Sequence, residues 1–127
     1  MIDQIIALKQ ETGIVEENAT LKKQLEWYKW AIQNGFVEAI IDNGRLLGFA
    51  EWIRLNDIPK DEYSWTELVD WKTVKTAPIG FVMNLCAKNK GVLKKLKDMM
   101  LSKNRDCKVL VWHNKKRNLM YVVRTEN

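Results

Sequence analysis

Residues 36–53 read Phe-Val-Glu-Ala-Ile-Ile-Asp-Asn-Gly-Arg-Leu-Leu-Gly-Phe-Ala-Glu-Trp-Ile. Two strand-like runs, 36–41 and 45–53, are rich in aliphatic, β-branched and aromatic side chains. Asp42, Asn43 and Gly44 separate them. Asn43 and Gly44 both tolerate positive φ, which a two-residue type I′ turn demands at its two central positions. The stretch therefore predicts an antiparallel hairpin, and with it a sheet.

Toward the N-terminus the apolar period changes. Leu21, Leu25, Tyr28 and Ile32 recur at helical spacing, an apolar stripe that predicts a helix over about 17–34. Residues 2–12 predict a shorter helix that puts Ile2, Ile5, Ile6 and the stem of Lys9 on one face. Gly13 and Gly35 follow the two helices, where a left-handed residue commonly ends one.

Toward the C-terminus, residues 55–79 show little periodicity and hold both prolines, Pro59 and Pro78. From Asp57 to Asp70 the acids Asp57, Asp61, Glu62, Glu67 and Asp70 face one base, Lys60. A short helix near 65–71 is expected there. A connection this long in a small domain is usually a lid or a binding segment. A strand over 79–87, a turn over 88–91 and an amphipathic helix over 92–103 come next. The helix turns Val92, Leu93, Leu96, Met99 and Met100 inward. Strands at 108–112 and 119–123 close the chain around a turn at 113–118. The order is α-α-β-β-(long connection)-β-α-β-β, an α+β fold with a mainly antiparallel central sheet and helices on its faces.

The chain has 127 residues, 46% hydrophobic and 29% charged. That is the profile of one globular domain, 1–127, and it excludes disordered and low-complexity classes and a large multidomain enzyme. The net charge of +5 suits an acidic partner without naming one. The N-terminus has no basic region or long apolar core of a secretory signal, and no stretch approaches the roughly 20 apolar residues that cross a bilayer. We expect a cytoplasmic protein with no membrane partner. The cysteines, Cys86 and Cys107, and the single histidine, His113, have no zinc-ligand spacing, so no metal is expected. Cys86 reads as a buried packing thiol, and His113 as a surface turn residue.

The residues 40–52, Ile-Ile-Asp-Asn-Gly-Arg-Leu-Leu-Gly-Phe-Ala-Glu-Trp, resemble the second and third strands of the GNAT superfamily of N-acetyltransferases. Residues 81–87, Phe-Val-Met-Asn-Leu-Cys-Ala, running into 91–97, Gly-Val-Leu-Lys-Lys-Leu-Lys, resemble its fourth strand and its cofactor helix. The resemblance covers about 1–112. It implies a GNAT-like fold, acetyl-CoA or another acyl-CoA as cofactor, and transfer of the acyl group to an amine, a protein lysine included, by direct attack.

In that family, amides opening the helix hold the pyrophosphate, because a helix N-terminus presents free N–H groups and positive potential. The resemblance assigns this role to Gly91 and Val92, with Lys88 and Lys90 assisting. Backbone groups of Asn84 and Cys86 would hold the pantetheine arm. The family pattern is Arg/Gln-x-x-Gly-x-Gly/Ala. Here Lys88-Asn89-Lys90-Gly91-Val92-Leu93 keeps the middle glycine, starts with lysine and has Leu93 where a small residue belongs. The turn after Ala87 is also shorter. The family's helix between its last strands is missing, so Tyr121 receives no general-acid role. A shortened end is similar to that of the haemolysin-activating lysine acyltransferases, which use acyl carrier protein and an N-terminal histidine that has no counterpart here.

Two residues are candidates for the chemistry. Glu51 could act as general base if burial raised its pKa; the plain alternative is a strand carboxylate facing water. Asn84 cannot take a proton but can position a water or a substrate group. From Lys88 to Arg117 there are eleven bases and two acids, Asp98 and Asp106. The tract suits the phosphates of CoA, a carrier protein or nucleic acid, or is a solvated lysine face. Lysines outnumber arginines and aromatics are few beyond Trp112, which favours diffuse electrostatics over base recognition. Trp52, Trp65, Trp71 and Trp112 are candidates to line a cleft around the long connection, and Trp27 and Trp30 flank the helical stripe. Two readings stand: an acyltransferase whose 55–79 segment shapes the acceptor site, and a non-catalytic GNAT-like protein that binds a protein or nucleic acid through residues 88–117 or through the tryptophan-bearing connection. Small size and lysine richness also resemble phage or mobile-element proteins.

Overall fold

The computed structural model describes residues 1–13, 20–61, 63–114 and 119–124. The elements are α1 (Ile2–Glu11), α2 (Leu21–Gln33), β1 (Val37–Asp42), β2 (Arg45–Leu55), a 3-10 turn (Ser64–Glu67), β3 (Ile79–Ala87), α3 (Lys90–Lys103), β4 (Val109–Asn114) and β5 (Leu119–Arg124). The expected order holds, and the strands form one sheet in the order β1-β2-β3-β4-β5. Pairs β1–β2 and β4–β5 are antiparallel and β3–β4 is parallel. Residues 17–19 of the expected second helix and Lys115, Lys116 and Arg117 of the basic tract lie outside the described residues, as do the side chains of His113 and Tyr121.

The chain divides into two compact units, Met1–Glu51 with Leu85–Lys97, and Trp52–Asn84 with Asp98–Asn127. The boundaries fall inside β2, β3 and α3.

In the first unit, Thr20 caps α2 by accepting the Lys23 N–H at 3.2 Å. The other end closes as a Schellman motif. Phe36 N–H donates to the Ala31 carbonyl at 2.8 Å and Gly35 N–H to Ile32 at 3.3 Å, with Gly35 at φ +81°. The Phe36 ring stacks on Trp30, which stacks on Trp27. The hairpin turns through Asn43 at φ +50° and Gly44 at φ +74°, the geometry the Asn-Gly pair predicts. Gln4 ties α1 to it by accepting the Leu46 N–H at 2.7 Å. Ile5, Leu8, Tyr28, Leu46, Phe49 and Cys86 pack as one core. Burial on α2 centres on Tyr28 and Ala31, while Leu21 is 61% and Leu25 38% exposed. The stripe is apolar along its length, and only the second half of α2 meets the core.

In the second unit, Asn104 is fully buried and closes α3, its Nδ2 donating to the Met100 carbonyl at 2.9 Å. Its own carbonyl accepts the Cys107 N–H at 3.0 Å. Trp52, Ile53 and Leu55 of β2, Phe81 and Val82 of β3, and Leu110 and Val111 of β4 are buried. The long connection contains the 3-10 turn at Ser64–Glu67 rather than a helix over 65–71. Of the tryptophans expected around a cleft, Trp52 is core, Trp65 and Trp112 are half-buried and Trp71 is exposed.

Candidate functional site

β3 passes into α3 across only Lys88 and Asn89. The short passage is pinned at both ends. Lys88 N–H donates to the Leu47 carbonyl at 2.9 Å. Leu47 is available because the β1–β2 register shifts between Ile40↔Gly48 and Ile41↔Leu46, leaving Leu47 as the extra residue of a bulge. At the other end Asn89 is the helix cap: its Oδ1 accepts the Val92 N–H at 3.0 Å, and its carbonyl accepts the Leu93 N–H at 3.1 Å.

The first amides of any α-helix have no partner within the helix. In α3 the side chain of Asn89 already satisfies Val92. The groups that open the helix toward an anion are therefore the amides of Lys90 and Gly91. Among the described residues, and apart from its chain neighbours and its own helix backbone, a Cβ added to Gly91 would meet Asn89 Oδ1 at 3.4 Å, so that side of the residue is open. Lys88 and Lys90 are exposed beside it. The arrangement suits a phosphate at Lys90–Gly91, and a phosphate reaching Val92 would have to displace the Asn89 cap.

Gly48 sets the floor of this turn, and sequence reasoning missed it. A Cβ there would stand 2.5 Å from Val92 Cγ1, 2.8 Å from the Cys86 carbonyl oxygen and 3.0 Å from Leu96 Cδ1. Only glycine lets the first turns of α3 lie this close to β2. A glycine inside a strand is itself the signal.

Asn84 and Cys86 are both buried on β3. The β3–β4 register ends at Val82↔Trp112, whereas β3 runs on to Ala87. Asn84 lies two residues past the last pair. Cys86 belongs to the first unit's core, as a packing thiol should.

Glu51 is 2% exposed and enclosed. Trp27 Nε1 donates to its Oε2 at 2.7 Å, Tyr28 Oη donates to its Oε1 at 2.9 Å, and Lys9 Nζ lies 4.0 Å from Oε1. Lys9 Nζ also donates to Tyr28 Oη at 2.7 Å and sits 5.1 Å from the centre of that ring. Expected to bury only its stem, Lys9 is 3% exposed as a whole residue. The arrangement binds α1 and α2 to β2 through one buried charge pair. Both carboxylate oxygens are engaged by these side chains.

In the second unit Arg54, 7% exposed, forms a fork on Asp106. Its two terminal nitrogens reach Oδ2 at 2.6 Å and Oδ1 at 2.5 Å. The same nitrogens donate to the carbonyls of Lys75 at 3.1 Å and Lys103 at 3.2 Å. One guanidinium thus joins β2, the long connection and the end of α3. The hydrogen bonds to Asp106 raise the Arg54 pKa against the opposing effect of burial, and the same bonds hold Asp106 below the usual carboxylate range. Burial pushes the Cys107 thiol up, so it stays protonated at neutral pH. Among the described residues no His, Cys, Asp and Glu side chains gather as a metal site, and no helix is long and apolar enough to cross a membrane.

No protein-family model matches the chain, and no curated protein is similar to it in sequence. Solved structures are similar in fold. The loading GNATL domain of CurA from Lyngbya majuscula superposes with a TM-score of 0.65 at 14% identity, over 89% of this chain and 59% of that one. The GphF GNAT-like decarboxylase, solved with isobutyryl-CoA, gives 0.67 at 14% identity, over 87% and 60%. A predicted acetyltransferase from Clostridium acetobutylicum, solved with acetyl-CoA, gives 0.58 at 15% identity, over 92% and 77%. The chain thus spans about three fifths of the length of the first two. With the hairpin, the strand-to-helix passage and these superpositions together, the chain has the fold of the GNAT superfamily of N-acetyltransferases.

Proposed function

We propose that the chain is a cytoplasmic, acyl-CoA-dependent N-acyltransferase in which an amine attacks the thioester directly. The observation that carries this reading is the start of α3 immediately after β3, with open space beside Gly91, which supports phosphate binding at the Lys90 and Gly91 amides. Two structures of the same fold are solved with acyl-CoA ligands, which supports the donor class.

The donor supplies an activated acyl carbon, and the residues of this chain bind and orient it. The amides of Lys90 and Gly91, with the Lys88 and Lys90 ammonium groups, hold phosphate charge. β3 runs beyond the β4 register at Asn84 and Cys86, and the amide-bearing arm would lie along this part of the strand. Asn84 orients the acceptor or a water. As the amide bond forms the thioester C–S bond breaks; CoA leaves as a thiolate that takes a proton from solvent, the acceptor's proton passes to solvent, and Glu51 serves by fixing the helices on β2. Rate enhancement rests on positioning and on polarising the carbonyl.

A non-catalytic GNAT-like binder is the second reading. One observation favours it: Asn89 already satisfies the Val92 amide that the family pattern assigns to the pyrophosphate. Partner binding would then use the exposed lysines of α3.

Thermal unfolding with and without acetyl-CoA, and with longer acyl-CoAs, separates the two. At about 100 times its dissociation constant a ligand stabilises the fold by roughly 2.7 kcal/mol. A shift with any acyl-CoA, followed by acyl transfer to a lysine peptide, supports the transferase. No shift with any of them favours the binder.

A further inference from the structure

The segment between β2 and β3 carries exposed apolar side chains that the anion site does not use. Tyr63 is 65% exposed, Trp71 53% and Ile58 42%. Two of the three are aromatic rings, the side-chain class enriched where proteins meet partners.

The segment holds them in place. Asn56 N–H donates to the Leu68 carbonyl at 3.1 Å and closes the loop at its neck. Ser64 Oγ accepts the N–H groups of Lys60 at 3.1 Å and Asp61 at 3.3 Å. Asp61 Oδ1 accepts those of Tyr63 at 2.8 Å and Ser64 at 2.9 Å. Asp70 Oδ1 accepts that of Lys72 at 3.0 Å. Pro59 and Val74 are buried below. The rings are therefore presented on an ordered loop.

Charge selects the occupant. Asp57, Asp61, Glu67 and Asp70 are all exposed in the same segment as the rings, against the exposed bases Lys60, Lys72 and Lys75, so the acids outnumber the bases. A phosphate backbone would be repelled here. Cationic side chains would meet both carboxylates and the negative faces of Trp and Tyr rings, which attract ammonium and guanidinium groups.

We propose that this surface docks a basic polypeptide, with its lysine or arginine side chains over Tyr63 and Trp71 and against the surrounding carboxylates. Joined to the transferase reading, on which this second part rests, the docked polypeptide supplies the acceptor lysine.

The test is fluorescence anisotropy of a labelled lysine-rich peptide titrated with the full chain in the absence of any acyl donor. Binding should weaken as salt rises. Trp71→Ala and Tyr63→Ala should each weaken it about fivefold, and Glu67→Lys about threefold. Their thermal midpoints should stay near wild type, and a glutamate-rich peptide should not bind. Absent binding of the lysine-rich peptide, equal binding by wild type and both aromatic variants, or an RNA duplex whose binding Trp71→Ala weakens would each overturn the proposal. Mass-spectrometric detection of acyl transfer to the same peptide separates the two readings. Docking without transfer from any acyl-CoA retains the surface and removes the transferase. Transfer that the aromatic variants leave unchanged does the reverse.

Discussion

Glu51 and Arg54 stand three residues apart on β2, and both are buried charges. Their solutions differ. Glu51 is answered by other buried groups, with indole and phenol donors on its oxygens and the Lys9 ammonium 4.0 Å away. Arg54 is answered by backbone carbonyls and by Asp106, whose side chain is 67% exposed. In the first arrangement both charges lie in low dielectric, where removing one member strands the other. The second keeps one end in water, where loss of a member can be made up by solvent. The same residue class on one strand should therefore differ in energetic weight, pH response and salt response.

Glu51→Ala should produce the largest effect, since it leaves the Lys9 ammonium, the Trp27 indole and the Tyr28 hydroxyl without their buried acceptor. Breaking a buried pair in this way costs about 3–5 kcal/mol, read as a lower urea midpoint. A double-mutant cycle with Lys9→Met should show coupling of about 1–3 kcal/mol. Additive effects would mean that the 4.0 Å pair is incidental.

Gly48→Ala, on the same strand, should cost about 1–3 kcal/mol by overpacking. The Cys86 carbonyl cannot move away from a Cβ as easily as a side-chain tip can. A neutral result would show that α3 is free to lift from β2.

Arg54→Leu should cost about 1–3 kcal/mol, the range for polar groups left without a partner. Its distinguishing sign is faster proteolysis within 56–76, because the Lys75 carbonyl loses its tie.

The smallest expected effect is a pH response confined to the Arg54 pair. Asp106 is held below the usual carboxylate range in the folded state. The unfolded chain therefore takes up its proton first as pH falls. The pair's contribution is complete above about pH 4 and fades as pH drops through the lowered value. The midpoint difference between wild type and Asp106→Asn should narrow from about pH 6 to about pH 3, and should already be smaller in high salt.

The elements that rest on local chemistry were legible in the sequence. Asn43-Gly44 announces its turn because few other pairs accept two positive φ values, and Gly35 marks the end of α2 for the same reason. The passage from β3 to α3 was also legible, since the period changes there within four residues. What escaped depends on partners distant in sequence. Glu51 and Lys9 are forty-two positions apart, and Arg54 and Asp106 fifty-two, so neither pairing leaves a mark in spacing or composition. Asn89 was read only as part of a glycine pattern. Its role as a cap, which commits the Val92 amide, follows from a side-chain rotamer. Along α2, helical period says which face is apolar, not how far the core reaches along it.

The central claim is that the start of α3 binds the phosphates of an acyl-CoA, and calorimetric titration of acetyl-CoA into wild type and Gly91→Glu tests it most directly. Glutamate fits the open space at position 91 and is favoured in a first helical turn, so the variant should fold as wild type does while placing a negative charge where the phosphate goes. One-to-one binding by wild type that falls at least about tenfold in the variant is the predicted result, a difference of about 1.4 kcal/mol. Equal affinity in the two proteins, or no heat from either at any reachable acetyl-CoA concentration, would contradict it.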